Sequence, residues 1–412
     1  MIIWILNVGE NMPTDGEVPR LFRTGILADY LVSRGHKVVW WSSTFDHYNR
    51  CHRFNHDKDV IISENYVIKF LHGFGYKNNV SFTRLLDHFI LGIKFTKLSK
   101  AEKIPDLIIS SFPIISFSSA AINFGKLNSV PVVIDARDMW PDIFLEIVSP
   151  KLRPILKFFL IGLFVKKKFI FRNAKAITGM TKEFVEWGLI KSGRNATILD
   201  RPFPFGYKKS DLYFNEIEKK SIFERFKLND EKQIVILVSY IGSVLDINLL
   251  ISFAIKLKEL NIPVDIVVCG MGDKYEFLQK KCDDLSNIKL LGWCDRVQIA
   301  KLLQISLVGL LPYKNRLDFK SSIPNKVAEY MSAGLPIISS VAGVVENILR
   351  ENNCGYFVEN ADDFGEAIQK LTVDKEFYSR MSRNATNYFN DNFESVKVYT
   401  EMCEYLEEIA NN

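Results

Sequence analysis

A lysine and a glutamate one helical turn apart, Lys326 and Glu329, lie in the stretch PNKVAEYMSAGLP, residues 324–336. Pro324 suits the first turn of a helix, where its missing N–H costs nothing, and Gly334 with Pro336 ends that helix and starts a strand. Val327, Tyr330 and Met331 form one apolar stripe. A helix N-terminus is an anion site, and Lys326 adds the positive charge that a diphosphate needs. Glu329, a turn deeper, is placed to accept hydrogen bonds from ribose hydroxyls. Ser321, Ser322 and Asn325 flank the same helix start and complete a candidate donor site. On spacing alone, an ordinary i, i+3 surface pair accounts for Lys326 and Glu329 equally well.

Three other clusters could do chemistry. IDARDMWPD, residues 134–142, crowds Asp135, Arg137, Asp138 and Asp142 after an apolar run. One reading is an Asp–Arg pair tying the loop down, a role that suits Asp135, while Arg137 or Asp138 faces substrate. GENMPTDGEVPRLFRTG, residues 9–25, follows the first apolar run, with Gly16 in it and Arg20 or Arg23 at the next helix start. Such a loop can embrace a phosphate or an acceptor, or its arginines simply cap a turn. Gly270 and Gly272 in CGMGDKYEFLQK, and Gly242 in YIGS, mark glycine turns after strands; a GxG alone is most often a tight βα turn.

The elements that must position these residues alternate between short apolar runs and helical segments, the pattern of parallel βαβ architecture. Strands are expected at 2–6, 38–41, 66–71, 107–110, 132–134 and 176–178, with helices at 21–34 and 182–188. From 199 to about 231 no strand pattern appears, and Pro202-Phe203-Pro204 fits a crossover. A second series of strands follows at 234–239, 265–269, 288–290, 307–311, 337–340 and 356–358. The expectation is two Rossmann-like domains, residues 1–199 and 200–374, meeting across a cleft at the strand carboxyl ends. A helical segment, residues 375–412, has no placement from sequence.

Composition bounds the function. At 48% apolar and 25% charged residues the chain is globular, and a net charge of +5 is too mild for a nucleic-acid binder. Six scattered cysteines with no CxxC pair fit reduced thiols in a cytoplasmic protein. All six histidines lie between His36 and His88, which argues against a histidine-built metal site in the remainder. MIIWILNVG is too short and wrongly flanked for a signal peptide, and no apolar run reaches the length of a membrane span. KLRPILKFFLIGLFVKKKFIFRNAK, residues 151–175, mixes bulky apolar and basic residues with no acid, and residues 82–103 are similar in character. Both suit an anionic membrane interface, or a core helix with a basic edge.

PNKVAEYMSAGLPIISS, with Gly343 and Glu346 downstream, resembles the C-domain signature of family 4 glycosyltransferases of the GT-B fold. The resemblance runs almost end to end and implies two Rossmann-like domains facing each other across a cleft. In that family the second glutamate of an E-x7-E motif binds the donor ribose, which Glu329 matches; the first falls on Ser321, a departure from the motif. It implies that Gly242, Gly270 and Gly272 let backbone approach the nucleotide. Lys326, Lys320 or Arg316 must supply diphosphate charge, Lys326 being favoured. Gly16 resembles the glycine of the acceptor loop, which can also embrace the donor phosphate, so Gly16 and Arg20 are counted with the donor-binding residues. Arg137 stands where many members have a histidine, and Asp138 on the following aspartate.

RDMWPD, TDGEVPR and WWSSTFDH resemble a subgroup that builds bacterial surface polysaccharides, including N-acetylfucosamine transferases. The resemblance implies a retaining, metal-independent transfer from a UDP-sugar to a polyprenyl-diphosphate-linked glycan in O-antigen or capsule synthesis. Asp138, Arg137 and Lys326 would be the catalytic groups, with no cofactor. The enzyme would sit peripherally on the inner face of the cell membrane. Two alternatives stay open: a UDP-sugar 2-epimerase of the same fold, and a non-catalytic nucleotide-sugar-binding assembly protein.

Overall fold

The computed structural model describes residues 1–16, 19–78, 81–209 and 216–411. The chain forms two compact units, one of Met1–Pro204 with Val396–Asn412 and one of Phe205–Ser395. The crossover falls just after the Pro202-Phe203-Pro204 turn.

The first unit is built on strands Ile2–Leu6 (β1), Lys37–Ser43 (β2), Lys58–Ser63, Tyr66–Leu71, Leu107–Phe112, Val132–Ala136, Ala176–Gly179 and Arg201–Pro202, with a small hairpin of Phe45–Asp46 and Cys51–His52 between. In chain order the hairpin strands are β3 and β4, and the strands from Lys58 onward are β5 to β10. The sheet runs β10-β9-β8-β7-β1-β2-β6-β5, all parallel except the antiparallel edge strand β5. Strand alternation sorts its core into two layers. Trp4, Leu6 and Trp41 point to one face, against Phe95, Phe117 and Phe171 of the covering helices. Ile3, Ile5 and Trp40 point to the other, against Leu27 and Leu31 of the helix Arg23–Ser33 and Tyr399, Met402 and Leu406 of the last helix, Ser395–Asn411. Strand order reverses between β1 and β7, so their carboxyl ends open a crevice.

The second unit is built on Gln233–Val238 (β11), Val264–Cys269 (β12), Ile288–Gly292 (β13), Val308–Leu311 (β14), Ile337–Ser339 (β15) and Gly355–Phe357 (β16). Its sheet, β13-β12-β11-β14-β15-β16, is parallel throughout, with the reversal between β11 and β14. Strands buried on both faces read as near-continuous apolar runs, as IVILV and DIVVC do.

Several elements differ from expectation. The segment 375–412 is two helices, Lys375–Asn392 in the second unit and Ser395–Asn411, which closes the first. The break at Phe393-Glu394 needs no glycine or proline, because Phe393 is buried and its carbonyl accepts a hydrogen bond from Tyr207 N–H at 2.7 Å. Residues 151–175 are not one helix but Arg153–Phe159 and Ile161–Asn173, parted at Leu160. The stretch without a strand pattern holds a helix, Glu216–Phe226; residues 210–215 lie outside the described residues. Pro324 is the cap before the helix Asn325–Ser332 rather than part of its first turn, with ψ at 139°. No helix among the described residues is long and apolar enough to cross a membrane.

Candidate donor and acceptor sites

At the switch point of the second unit the loops after β11 and β12 interlock. Ile241 N–H donates to Met271 O at 3.0 Å, and Lys274 N–H to Ile241 O at 2.9 Å. This approach fixes the glycines. With φ at +145°, a Cβ on Gly270 would lie 1.8 Å from Ser239 O; one on Gly272, at φ +159°, would lie 2.5 Å from Ile241 O. Close backbone packing within the protein therefore already requires both residues. Gly242 lies under the Tyr240 ring, 2.7 Å from a built Cβ. Tyr240 is itself exposed and donates its hydroxyl proton to Asp273 at 2.6 Å. Exposed Met271 and Trp293 follow β12 and β13, which makes an apolar ledge along three neighbouring strand ends.

The helix Asn325–Ser332 is tied to this ledge from below, since Tyr330 OH accepts Val238 N–H at 2.8 Å. Lys326 is bonded to Glu329 Oε2, and Tyr207 OH donates to Glu329 Oε1 at 3.1 Å. Glu329 is only 5% exposed, so the pair is not the solvated surface bridge that spacing alone allows. A carboxylate taken out of water needs its lone pairs satisfied, and two donors on two oxygens do that. Ser321 is buried, Ser322 half-buried and Asn325 exposed at the helix approach. Of the three candidate cations, Arg316 is bound bidentately by Asp318 at 3.0 and 3.1 Å, and Lys320 is exposed. Sequence reasoning missed Lys314, whose ammonium donates to Ser243 O at 3.0 Å and so lies against the glycine turn. It also missed Tyr207, which sits in a stretch without a pattern; Lys314 was detectable as the third residue beyond a strand end.

In the first unit, Asp135 is fully buried. Arg23 donates to both its oxygens at 3.0 and 3.2 Å, Arg137 at 2.7 Å and Thr178 at 2.9 Å. Burial alone would raise the pKa of this carboxyl; the two guanidiniums more than reverse that and hold it below the ordinary carboxylate range. Arg23 also donates to the carbonyls of Phe203 and Pro204 at 2.8 and 2.9 Å. It ties the first helix to β8 and the chain's exit, and neither caps a surface turn nor reaches solvent. Arg137 links Asp135 to Glu10, a residue the sequence did not single out. Glu10 in turn accepts from Asn7, from Thr24 N–H and from the Thr24 hydroxyl at 2.8–2.9 Å. Asp138 accepts Met139 N–H at 2.7 Å within its own loop.

Gly16 is exposed with φ at +85° and open space around it, so conformation rather than packing calls for glycine. Arg20 is exposed beside it, its carbonyl accepting from Asn11 at 3.1 Å. Glu17 and Val18 of this loop lie outside the described residues.

Residues 218–388 match the family described as glycosyl transferases group 1. An N-acetyl-alpha-D-glucosaminyl L-malate synthase of Bacillus anthracis is 29% identical over 147 residues, a match spanning 34% of this chain and 36% of that relative. Sucrose-phosphate synthase from Thermosynechococcus elongatus superposes with a TM-score of 0.72 at 16% identity, over 99% of this chain and 98% of that one. Anabaena Alr3699/HepE in complex with UDP and glucose gives 0.67 at 13%, over 99% and 100%. At these identities the solved structures establish the fold. The chain has the GT-B fold of those structures, and its residues 218–388 are similar to the glycosyl transferases group 1 family.

Proposed function

We propose that this chain is a retaining glycosyltransferase that moves a sugar from a UDP-sugar to a lipid-linked glycan. The observation that carries the reading is the buried Glu329, held by Lys326 and Tyr207 beside the carboxyl ends of β11 and β14. A ribose diol donating to Glu329 would take over from Lys326, whose ammonium would turn to the diphosphate. The ledge of Tyr240, Met271 and Trp293 offers apolar surface to a base. The likeness to a structure holding UDP and glucose supports UDP as the carrier.

In the proposed reaction the acceptor hydroxyl attacks the anomeric carbon on the face that UDP leaves. The C1–O bond to phosphate breaks as the new C1–O bond forms, and the acceptor proton passes to the departing phosphate oxygen. Negative charge grows on the diphosphate, so the protein's task is to stabilise it. Lys326, Lys314 and the N-terminus of the helix Asn325–Ser332 are the groups we assign to it. Asp138 and Arg137 are assigned to the acceptor side, with Gly16 and Arg20 at its rim. The missing carboxylate at Ser321 suits a donor with fewer hydroxyls, such as N-acetylfucosamine.

A lipid-linked acceptor is supported by the first unit's surface. Ile155, Phe158, Phe159, Ile161 and Val165 are exposed beside Lys157, Lys166 and Lys168. Lys166 lies 5.8 Å over the ring of Phe89, on the helix Phe82–Leu98, which adds exposed Phe82 and Ile93. Basic residues around exposed apolar ones suit the inner, anionic leaflet. The deciding experiment incubates the protein with a panel of UDP-sugars and polyprenyl-diphosphate glycans. Release of UDP matched by a glycan one sugar longer, with the anomeric configuration kept, is the expected outcome. UDP release without a lengthened glycan, or an epimerised donor, would sink the reading.

A further inference from the structure

The crevice between β1 and β7 holds a cavity of about 170 Å³ whose lining includes Glu10, His47, Tyr76, Arg84, Ser111 and Arg137. One wall carries a connected set of donors. The guanidinium of Arg84 lies 5.3 Å from the Tyr76 ring and 4.8 Å from the Trp140 ring, and that of Arg50 lies 5.5 Å from the same Tyr76 ring. Tyr76 OH is 2.7 Å and Arg50 3.4 Å from His47 Nδ1. A guanidinium only donates, so Nδ1 is the acceptor of both and the imidazole proton sits on Nε2. Burial, then Arg84 and Arg50, pushes the His47 pKa down to about 4, against the smaller opposing pull of Asp46.

The carboxylates nearby are engaged elsewhere. Asp46 accepts from Tyr48 and Asn49 and pairs with Arg53 at 3.2 Å; Asp87 accepts Gly75 N–H at 2.9 Å; Glu10 is bound by Asn7, Thr24 and Arg137. Asp138 and Asp87 moderate the field at Arg84 without reversing it at His47. Ser111, also in the lining, is 2% exposed and its hydroxyl has no hydrogen-bond partner, which leaves a donor that a bound acceptor atom would satisfy. What completes a lining that holds the Arg84 guanidinium, an imidazole N–H and the Ser111 hydroxyl is an acceptor of several hydrogen bonds carrying negative charge.

We propose that this cavity is a subsite for an oxyanion, a carboxylate or a phosphate, borne by the acceptor and bound by Arg84, His47 and Ser111. The proposal rests on the reading of the first unit as the acceptor unit. It narrows the acceptor to a glycan with an acidic sugar or a phosphorylated residue near the hydroxyl that is glycosylated.

The test follows the His47 imidazole by NMR in the full chain labelled on histidine, with H47N to identify its signal. Inorganic phosphate and methyl glucuronide are the probes, and UDP is a third arm. An anion in the cavity stabilises the imidazolium, so at least one probe should raise the His47 pKa by about one unit or more, a tenfold preference for the protonated ring. R84Q should abolish the shift; S111A, which removes the hydroxyl assigned to the anion, should weaken it and makes the test if R84Q does not fold. A shift with glucuronide alone identifies a carboxylate, one with phosphate alone a phosphate. No shift with either probe, or an equal shift with UDP, overturns the proposal. Thermal stabilisation by UDP in the same sample reports the donor reading separately.

Discussion

Lys326 and Glu329, one turn apart on the helix Asn325–Ser332, are bonded to each other, and Tyr207 holds the free oxygen of the same carboxylate. The two groups assigned to ribose and diphosphate thus neutralise each other until donor hydroxyls compete for Glu329. Replacing Lys326 with alanine removes the charge facing the departing diphosphate. Turnover should fall by about a hundred- to a thousandfold, the cost of losing one such donor being roughly 2.7–4 kcal/mol, while the acceptor KM stays within about twofold. Steady-state kinetics with saturating donor checks this, and wild-type turnover would remove Lys326 from the reaction.

A related expectation concerns Gly270. Its Cβ would fall 1.8 Å from Ser239 O, and that atom is backbone with no room to retreat. Gly270→Ala should therefore displace the ledge of Tyr240 and Met271 and lose most of the thermal stabilisation that UDP confers, since bound ligand stabilises by mass action. Gly16→Ala, in open space but at φ +85°, should leave UDP stabilisation intact.

The Arg23–Asp135 pair is fully buried and joins β8 to the first helix. Asp135→Asn leaves two guanidiniums facing an amide, and breaking one side of a buried pair costs about 3–5 kcal/mol. Urea unfolding should show it. Because the folded carboxyl titrates below its unfolded value, its contribution is present above about pH 4 and is lost as pH falls through the folded value. The Asn variant should lack that acid-dependent part of the stability curve.

His88 behaves in the opposite chemical sense but shifts stability in the same direction. It is buried, its Nε2 has no hydrogen-bond partner, and burial with the charges of Arg84 and His47 lowers its pKa to about 3. Below about pH 6.5 the unfolded chain binds a proton that the folded one does not, so stability falls with pH down to about 3. Each pH unit across that window removes about 1.4 kcal/mol for this one residue. His88→Phe should flatten the slope between pH 4 and 6 in urea midpoints; an unchanged slope would mean that His88 titrates normally.

How much of this was legible beforehand varies with the physics. Strands β1 and β6 match their expected bounds, because buried parallel strands are apolar runs cut off by polar ends. The edge strand β5 was invisible: KDVIIS is mostly exposed, and its pairing with β6 decides its state rather than any pattern of its own. The donor helix showed through Pro324, Lys326 and Glu329 because local spacing sets their geometry. Glu10 and Tyr207 did not, because Arg137 and Glu329, which they meet in the fold, lie 127 and 122 residues away. Neither reading of Arg23, a ligand of phosphate or acceptor or a turn cap, finds its buried partner Asp135, which lies 112 residues on.

The exposed aromatic surface of the first unit gives the last prediction. Phe158 and Phe159 are 72% and 76% exposed at the end of the helix Arg153–Phe159, so replacing them breaks no packing. Burying each ring in lipid is worth roughly 1.5–3 kcal/mol, and each nearby lysine adds about 1 kcal/mol on an anionic leaflet. Phe158→Asp with Phe159→Asp should weaken binding to vesicles containing phosphatidylserine by at least about a hundredfold and leave the melting temperature unchanged. Raising the salt should weaken the wild-type protein toward the same level only in part, since the apolar contribution is not screened. Transfer to a short, water-soluble acceptor analogue should stay at the wild-type rate in the double variant. A loss on both acceptors would place these rings at the reaction rather than at the membrane.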